Sequence, residues 1–453
     1  MKIKSIVAAC VALCSASAFA LPLDITSQAP ELTFYIGGAS AQKGGVSVVV
    51  PADLFATPAD VIKVTEVAGQ KTVGFYGMSL AKLTGGTSVR LYVAYNSTNG
   101  SAQGVNQLLS NAKNETESKI VTVGNAGCSA AVATAITATS PNGYASTCST
   151  PSVDGVEVDM ALADVYPGEL VPGALVLAPV GGAVALSDLT IKPTAFQGFG
   201  VVVNSALYSA LQTAQGLVGG SDTAANQPSI TRADYASLIS VQGSIKSAGQ
   251  LLGNGDATNL TVVRRTDTSG TQASSNLFFA NNYCGLQGRF GALTTVGAAD
   301  AQYTGADPYM VTEEKGTGGV TDRLTTGKAT AVAGYGIGVI SLENPAVTTA
   351  GAWRYVKIDG VSPNFKADGT ADTLNRNAFA SGRYPFAFEM SAMYKTAAPA
   401  ITQALAEKVI TGLKDSTKHN LTGIAYLDGL TYAAGGKQSY VNRGGNNCQP
   451  AIN

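Results

Sequence analysis

Short apolar runs alternate along this chain with stretches whose apolar residues recur every three or four positions. Runs rich in Val, Ile, Leu and aromatic side chains and bounded by Gly, Ser or Asn predict strands, and the helical recurrence predicts helices. Strands are expected at Leu32–Ile36, Val89–Tyr95, Val158–Leu162, Phe199–Asn204, Leu260–Arg264, Gly336–Leu342 and Pro385–Met390. Helices are expected from Val105 onward, over Thr271–Asn281 and over Ala398–Lys414, where Ile401, Leu405, Val409, Ile410 and Leu413 fall on one face. Residues Gly44–Pro51 read as a strand. The Ser-, Thr-, Ala- and Gly-rich region Ala126–Thr150 reads as an inserted loop, and Gln215–Gln227 and Gly291–Gly305 as surface connections. Strands alternating with helices make the fold class α/β.

Composition narrows the function. The charged fraction is 13% and the net charge −1, with no basic run, which argues against a nucleic-acid partner. The N-terminus has the form of a secretory signal. Lys2 and Lys4 are followed by the apolar run Ile6–Leu13 and by Ala18-Phe19-Ala20, so cleavage after Ala20 and a periplasmic or secreted mature protein are expected. No later apolar run is long enough to span a bilayer. Beyond the signal lie Cys128, Cys148, Cys284 and Cys448, an even set that suggests two disulfides in an oxidising compartment. Three pairings are possible. The short local loop favours Cys128–Cys148, which leaves Cys284–Cys448. The single histidine, His419, and the lack of a C-x-x-C pair give no reason to expect a metal or another cofactor.

The strongest local chemistry is Arg264-Arg265-Thr266-Asp267-Thr268-Ser269-Gly270-Thr271, a strand running through a turn into a helix. The first amides of a helix lack internal partners and point along a positive dipole end. Hydroxyls beside a glycine let the backbone close on a tetrahedral anion, and an arginine fork matches two of its oxygens. The same residues also suit an ordinary helix cap with solvated arginines.

This run resembles the Arg-x-Asp-x-Ser-Gly-Thr motif of the phosphate-binding proteins of ABC phosphate importers, which have the type 2 periplasmic binding-protein fold. Gly38-Ala39-Ser40 is similar to the family's first ligand loop, and Gly100-Ser101-Ala102-Gln103-Gly104-Val105-Asn106-Gln107 to its second. Val158-Asp159-Met160-Ala161-Leu162-Ala163-Asp164 is similar to its Val-Asp-Phe-Gly-Ala-Ser-Asp, while Gly198–Asn204, Gly336–Val339 and Tyr384-Pro385 resemble later landmarks. The resemblance implies that Arg265 pairs with the anion, that Asp267 orients Arg265, and that Ser269, Gly270 and Thr271 donate to the ligand. Ser40 and Ser101 would donate from the opposite lobe. Asp164 would accept a proton carried by hydrogen phosphate, a proton that sulfate lacks near neutral pH. The chain departs from the pattern at Ser40 and Ala163, and it is longer than a typical importer receptor.

The fold expected on this resemblance is two α/β lobes with mixed sheets joined by two crossover strands. Lobe one would hold 21–200 and 386–453, and lobe two 201–385. The function expected is binding of phosphate or a related oxyanion in the cleft, by a monomer that serves a membrane permease complex and is not an enzyme. A secreted adhesion or assembly protein on the same fold is the main alternative, and a secreted phosphatase a lesser one.

Overall fold

A computed structural model describes residues 23–67, 72–98, 100–109, 120–149, 156–170, 185–240, 243–280, 301–302, 309–426 and 447. The expected signal segment and the Cys284–Cys448 pair lie outside the described residues. In chain order the first strands are β1 (Leu32–Gly38), β2 (Ile62–Glu66), β3 (Thr72–Met78), β4 (Arg90–Asn96), β5 (Val132–Ala133), β6 (Tyr144–Cys148), β7 (Met160–Ala163) and β8 (Leu189–Val203). After them come β9 (Ser229–Ile230), β10 (Leu260–Arg265), β11 (Ala301–Gln302), β12 (Tyr309–Glu314), β13 (Tyr335–Ser341), β14 (Arg354–Tyr355), β15 (Lys357–Ile358), β16 (Ala387–Lys395) and β17 (Ile424–Tyr426). The helices are α1 (Lys43–Asp53), α2 (Gly100–Leu109), α3 (Ser205–Ala214), α4 (Arg232–Ile239), α5 (Ala248–Leu252), α6 (Gly270–Ala280), α7 (Thr317–Arg323), α8 (Asn377–Ala380) and α9 (Ala400–Lys414).

Fifteen of these strands form one mixed sheet, ordered β11-β12-β10-β13-β8-β16-β7-β1-β4-β3-β2-β6-β5, with β14 and β17 as further partners of β8. Two parallel clusters stand out within it. One is β4-β1-β7 and the other β12-β10-β13. Between them run the antiparallel strands β8 and β16. The first part of β8 pairs with β16 and its last part with β13, so this one strand carries the chain from one cluster to the other. Helices flank the sheet, and the α/β class read from the sequence holds.

The largest core cluster spans the crossover and the second parallel cluster. Its aromatic centre includes Phe278 stacked on Phe386 at 4.7 Å and Phe279 edge-on to Phe386 at 5.0 Å. This cluster locks α6 to the start of β16, so the helix that follows the Arg265 turn is fixed to the strand that leads back. A second cluster packs β1 and β4 against α1 and α9. Among the described residues, no helix is long and apolar enough to cross a membrane.

Three local expectations are corrected. Gly44–Pro51 is not a strand but lies in α1. Valines favour strands locally, yet here Val46, Val49 and Val50 bury one helical face against α9. Close approach makes this possible. A Cβ on Gly45 would lie 2.8 Å from Leu413, and one on Gly412 2.3 Å from Val49. Helix α2 starts at Gly100, not near Val105, because its first turn is buried by small polar residues that carry no apolar period. The region Ala126–Thr150 is more than a loop. It supplies β5 and β6, and β6 extends the sheet in parallel with β2. Small side chains that pack flat hid this strand from the hydrophobic pattern.

Cys128 and Cys148 are disulfide-bonded, with Cα atoms 4.0 Å apart, and close this sheet extension on itself. Removing both as Cys128→Ser and Cys148→Ser should cost roughly 3 kcal/mol through the freed loop of the unfolded chain. Urea denaturation of the variant beside the oxidised wild type measures it, and equal midpoints would show that the bond adds nothing.

Candidate functional site

Where parallel strands end, the last residues and the following loops leave the hydrogen-bonded ladder and face a crevice, where ligands of α/β sheets gather. In the first cluster, β1 runs out into Ser40, β4 into the first turn of α2 with Ser101, and β7 into Asp164. The register Gly37 opposite Asn96 and Gly38 opposite Leu162 sets these three ends side by side. In the second cluster, β10 ends at Arg265, β12 at Glu314 and β13 at Ser341, with Glu343 two residues beyond. Val263 opposite Gly338 and Arg265 opposite Glu314 align these ends in the same way.

The two sets of strand ends touch. Gly270, the first residue of α6, lies so close to the other cluster that a Cβ there would sit 2.3 Å from Ser101 Oγ and 2.6 Å from Asp164 Oδ2. Only a glycine permits this approach. The Ala102 amide donates to the Thr268 carbonyl at 3.0 Å, a backbone bond from the first turn of α2 to the Arg265 turn. The Asp164 amide donates to Ser101 Oγ at 3.1 Å. The Tyr95 hydroxyl donates to the Ala39 carbonyl and ties β4 to the loop before Ser40.

Charge at this junction is buried and incompletely paired. Asp164 and Arg265 are each 5% exposed. Arg265 donates through Nη1 to Thr317 Oγ1 at 3.2 Å and through Nη2 to the Lys315 carbonyl at 2.8 Å, while its amide donates to Gln272 Oε1 at 2.9 Å. Its Nε and the Oδ1 of Asp164 are buried without a hydrogen-bond partner among the described residues. Burial pushes the Asp164 carboxyl up to about 7, and the Glu343 carboxylate adds to the rise, while Arg265 and the Ser101 hydroxyl pull the other way. Burial likewise lowers Arg265, against the attraction of Asp164, Glu343 and Glu314. These mutual terms bring Arg265, Asp164 and Glu343 into one electrostatic group.

The remaining candidates are placed as follows. Asp267 does not brace Arg265. It pairs with Arg264, whose Nε also lies 3.8 Å from Glu313. Neighbouring residues of a strand point to opposite faces, so Asp267 reaches only one of the two arginines. The bracing of Arg265 comes instead from Thr317 and the Lys315 carbonyl. Ser269 is the cap of α6: Ala273 donates to its carbonyl at 3.1 Å and the Gln272 amide to its Oγ at 3.4 Å. Thr271, buried, lines a cavity of about 20 Å³ with Arg265 and Gln272 on the far side of the turn. Ser40 opens a short 3-10 turn after β1 and is half-buried. The structure thus joins Ser101, Asp164 and Gly270 directly and couples Arg265 to them. It turns Asp267 away.

Sequence reasoning missed Glu343, Lys315 and Thr317. Glu343 left a signal: it is the only charged residue between Lys328 and Arg354, directly after an apolar strand. Lys315 acts through its backbone and left none.

No protein-family model matches the chain, and no curated protein matches it. Solved structures give loose likenesses. An ABC-type phosphate transport receptor from Vibrio cholerae is 14% identical with a TM-score of 0.39, covering 85% of this chain and 94% of that one. A possible phosphate binding protein from Planctomyces limnophilus is 10% identical with a TM-score of 0.33, covering 86% and 100%. A reduced form of OxyR from N. meningitidis is 8% identical with a TM-score of 0.24, covering 60% and 74%. Identities this low and superpositions this loose say nothing of ligand or activity, and the site stands on its own residues.

The raised carboxyl has a consequence for stability. A carboxyl at 3.8 when unfolded and about 7 when folded favours the folded state below pH 4 and loses that contribution as pH rises through 7. Asp159, pushed up to about 6 by burial, adds a slope in part of the same window. Asp164→Asn should therefore flatten the fall in Tm between about pH 4 and pH 7 without abolishing it. Parallel Tm profiles for the two proteins would place Asp164 in water.

Proposed function

We propose that this is an exported binding protein that holds a protonated oxyanion, phosphate foremost, between the two parallel clusters of its sheet. The observation that carries the reading is a pair of buried atoms at these strand ends that have no hydrogen-bond partner among the described residues, an acceptor on Asp164 and a donor on Arg265. A buried polar atom without a partner costs free energy, and one ligand that both donates and accepts would relieve both. Hydrogen phosphate is such a ligand: its P–OH can donate to Asp164 while its other oxygens accept from Arg265 and the first amides of α6. Sulfate has no proton to give. Charge-assisted hydrogen bonds contribute roughly 1.5–3 kcal/mol each, and micromolar binding needs about 8 kcal/mol net, so a handful suffices.

As they stand, Gly270, Ser101 and Asp164 are in contact, and no tetrahedral ion fits between these three groups. Binding then requires the clusters to part, by bending where β8 and β16 cross between them. On this reading lobe one comprises 21–200 with 386–453, and lobe two 201–385. Export is supported by Lys2, Lys4 and the Ala18-Phe19-Ala20 site. Delivery of the ion to a membrane permease completes the proposal. Binding is favoured over hydrolysis because no histidine stands beside the junction hydroxyl, Ser101, to serve as its base. The single histidine lies elsewhere, bonded to Tyr426 at 2.5 Å beside α1.

Isothermal titration of the mature protein with phosphate should saturate at one site. Arg265→Ala should weaken it by more than about tenfold, the loss of one charge-assisted contact, with the folded circular-dichroism spectrum retained and Tm lowered by the lost bonds to Thr317 and the Lys315 carbonyl. Unchanged affinity would put the pocket elsewhere. The preference for phosphate over sulfate should widen as pH rises through about 7, where Asp164 ionises and can only accept, and should shrink in Asp164→Asn. Discrimination that is flat with pH and equal in both proteins would remove the proton-sorting role.

A further inference from the structure

The chain has a second, larger cavity that shares no residue with the Asp164–Arg265 junction. It measures about 420 Å³, within the range of small-molecule sites. Its walls come from α3, the loop after β13, β14 and the 364–375 segment. We infer that this cavity is a separate binding site for a neutral, planar ring compound bearing a carboxamide or lactam group.

The walls are held in place by bonds inside the protein. Gln227 donates through Nε2 to the Tyr355 carbonyl at 3.0 Å and to Asn364 Oδ1 at 2.8 Å. Asn375 donates to the carbonyls of Leu342 at 3.2 Å and Asn344 at 3.0 Å, and the Tyr355 hydroxyl to Asn344 O at 2.8 Å. The loop carrying Pro345 and Val347 is therefore tethered at its start, and two sides of the cavity are braced.

Neutrality follows from the charges that border it. Arg354 grips Asp222 through two nitrogens at 2.6 and 3.1 Å, and its third nitrogen donates to the carbonyls of Ala352 and Trp353. The Asp372 carboxylate accepts from the amides of Arg376 at 2.8 Å and Asn377 at 2.6 Å. Every ionised group bordering the cavity is spent within the protein. An anionic ligand would find no free cation there and would lose its water, and both Asp372 oxygens already accept from the amides of Leu374, Arg376 and Asn377.

Ring shape follows from the aromatic faces of Tyr208, Tyr355 and Phe365, with Val347 and Pro345 beside them. The polar group follows from what remains unspent. Tyr208 is 4% exposed and its hydroxyl has no hydrogen-bond partner among the described residues. The Asn364 carboxamide oxygen is taken by Gln227 and by Ser362 at 3.3 Å, which leaves its NH₂ to donate. A ligand carbonyl can accept from Asn364 while a ligand N–H donates to the Tyr208 oxygen. An amide edge on a flat ring supplies both.

The test is a titration of the full mature chain with benzamide, followed by ligand-observed NMR, with benzoate as the charged isostere. Benzamide should saturate with a Kd on the order of 1 mM, as expected for so small a ligand. Benzoate should bind at least about tenfold more weakly. Val347→Trp, which fills the cavity from its rim, should abolish saturation, and Tyr208→Phe should weaken it about threefold to tenfold by removing one hydrogen bond. The inference fails if wild-type protein shows no saturable benzamide binding. It fails equally if benzoate binds as tightly, or if both variants bind as the wild type does. Phosphate titration of the same samples reads the other site independently.

Discussion

The contact on which this structure turns is the one between Gly270 and the Ser101–Asp164 pair. A glycine at the start of α6 lets the backbone of one strand cluster reach a carboxylate at the end of the other. Burial at that contact removes water from Asp164, and the nearby Glu343 discourages its charge further, while Arg265 offsets part of the cost. A group with such opposing influences is poised to exchange its proton near neutrality. On the proposed reading that poise is useful, because it lets the site test whether an incoming anion brings a proton of its own.

The rest of the fold serves to hold these ends in register. Parallel pairing aligns Ser40, Ser101 and Asp164 on one side and Arg265, Glu314 and Glu343 on the other. Strands β8 and β16 pass between the clusters, so relative motion of the two sets must be taken up by two extended segments. The Phe278–Phe386 stack fixes α6, and with it the Arg265 turn, to the returning strand. The disulfide lies toward the β5 end of the sheet, where Cys128 and Cys148 join a third buried apolar cluster with Ile62, Val64, Tyr76 and Tyr92.

Much of this was legible in the sequence because it is local. The strand-turn-helix from Leu260 to Ala280 announces itself by an apolar run, a Ser-Gly-Thr step and helical spacing. The fate of Asp267 was not legible, since pattern alone cannot say which of two adjacent arginines a carboxylate meets; the pleat decides it in favour of Arg264. Helix α1 was hidden for a different reason. Its valines prefer strands, and only the tertiary pairing with α9 through Gly45 and Gly412 overrules them. Glu343 stands out in the sequence as a lone charge after an apolar strand, but its place at the junction comes from sheet order, a property that no window of sequence contains.

The most direct measurement is the phosphate affinity of Gly270→Ala beside that of the wild-type protein. Alanine suits the first turn of a helix, but its methyl group would stand 2.3 Å from Ser101 Oγ in the present contact of the clusters, so Tm should fall, and with an ion between the clusters the same methyl would project into the ion's place. If the two clusters close on the ion here, affinity should fall by more than about tenfold, the scale of one lost charge-assisted contact. Wild-type affinity in the alanine variant would contradict the account, because the ligand would then be held somewhere other than between these strand ends.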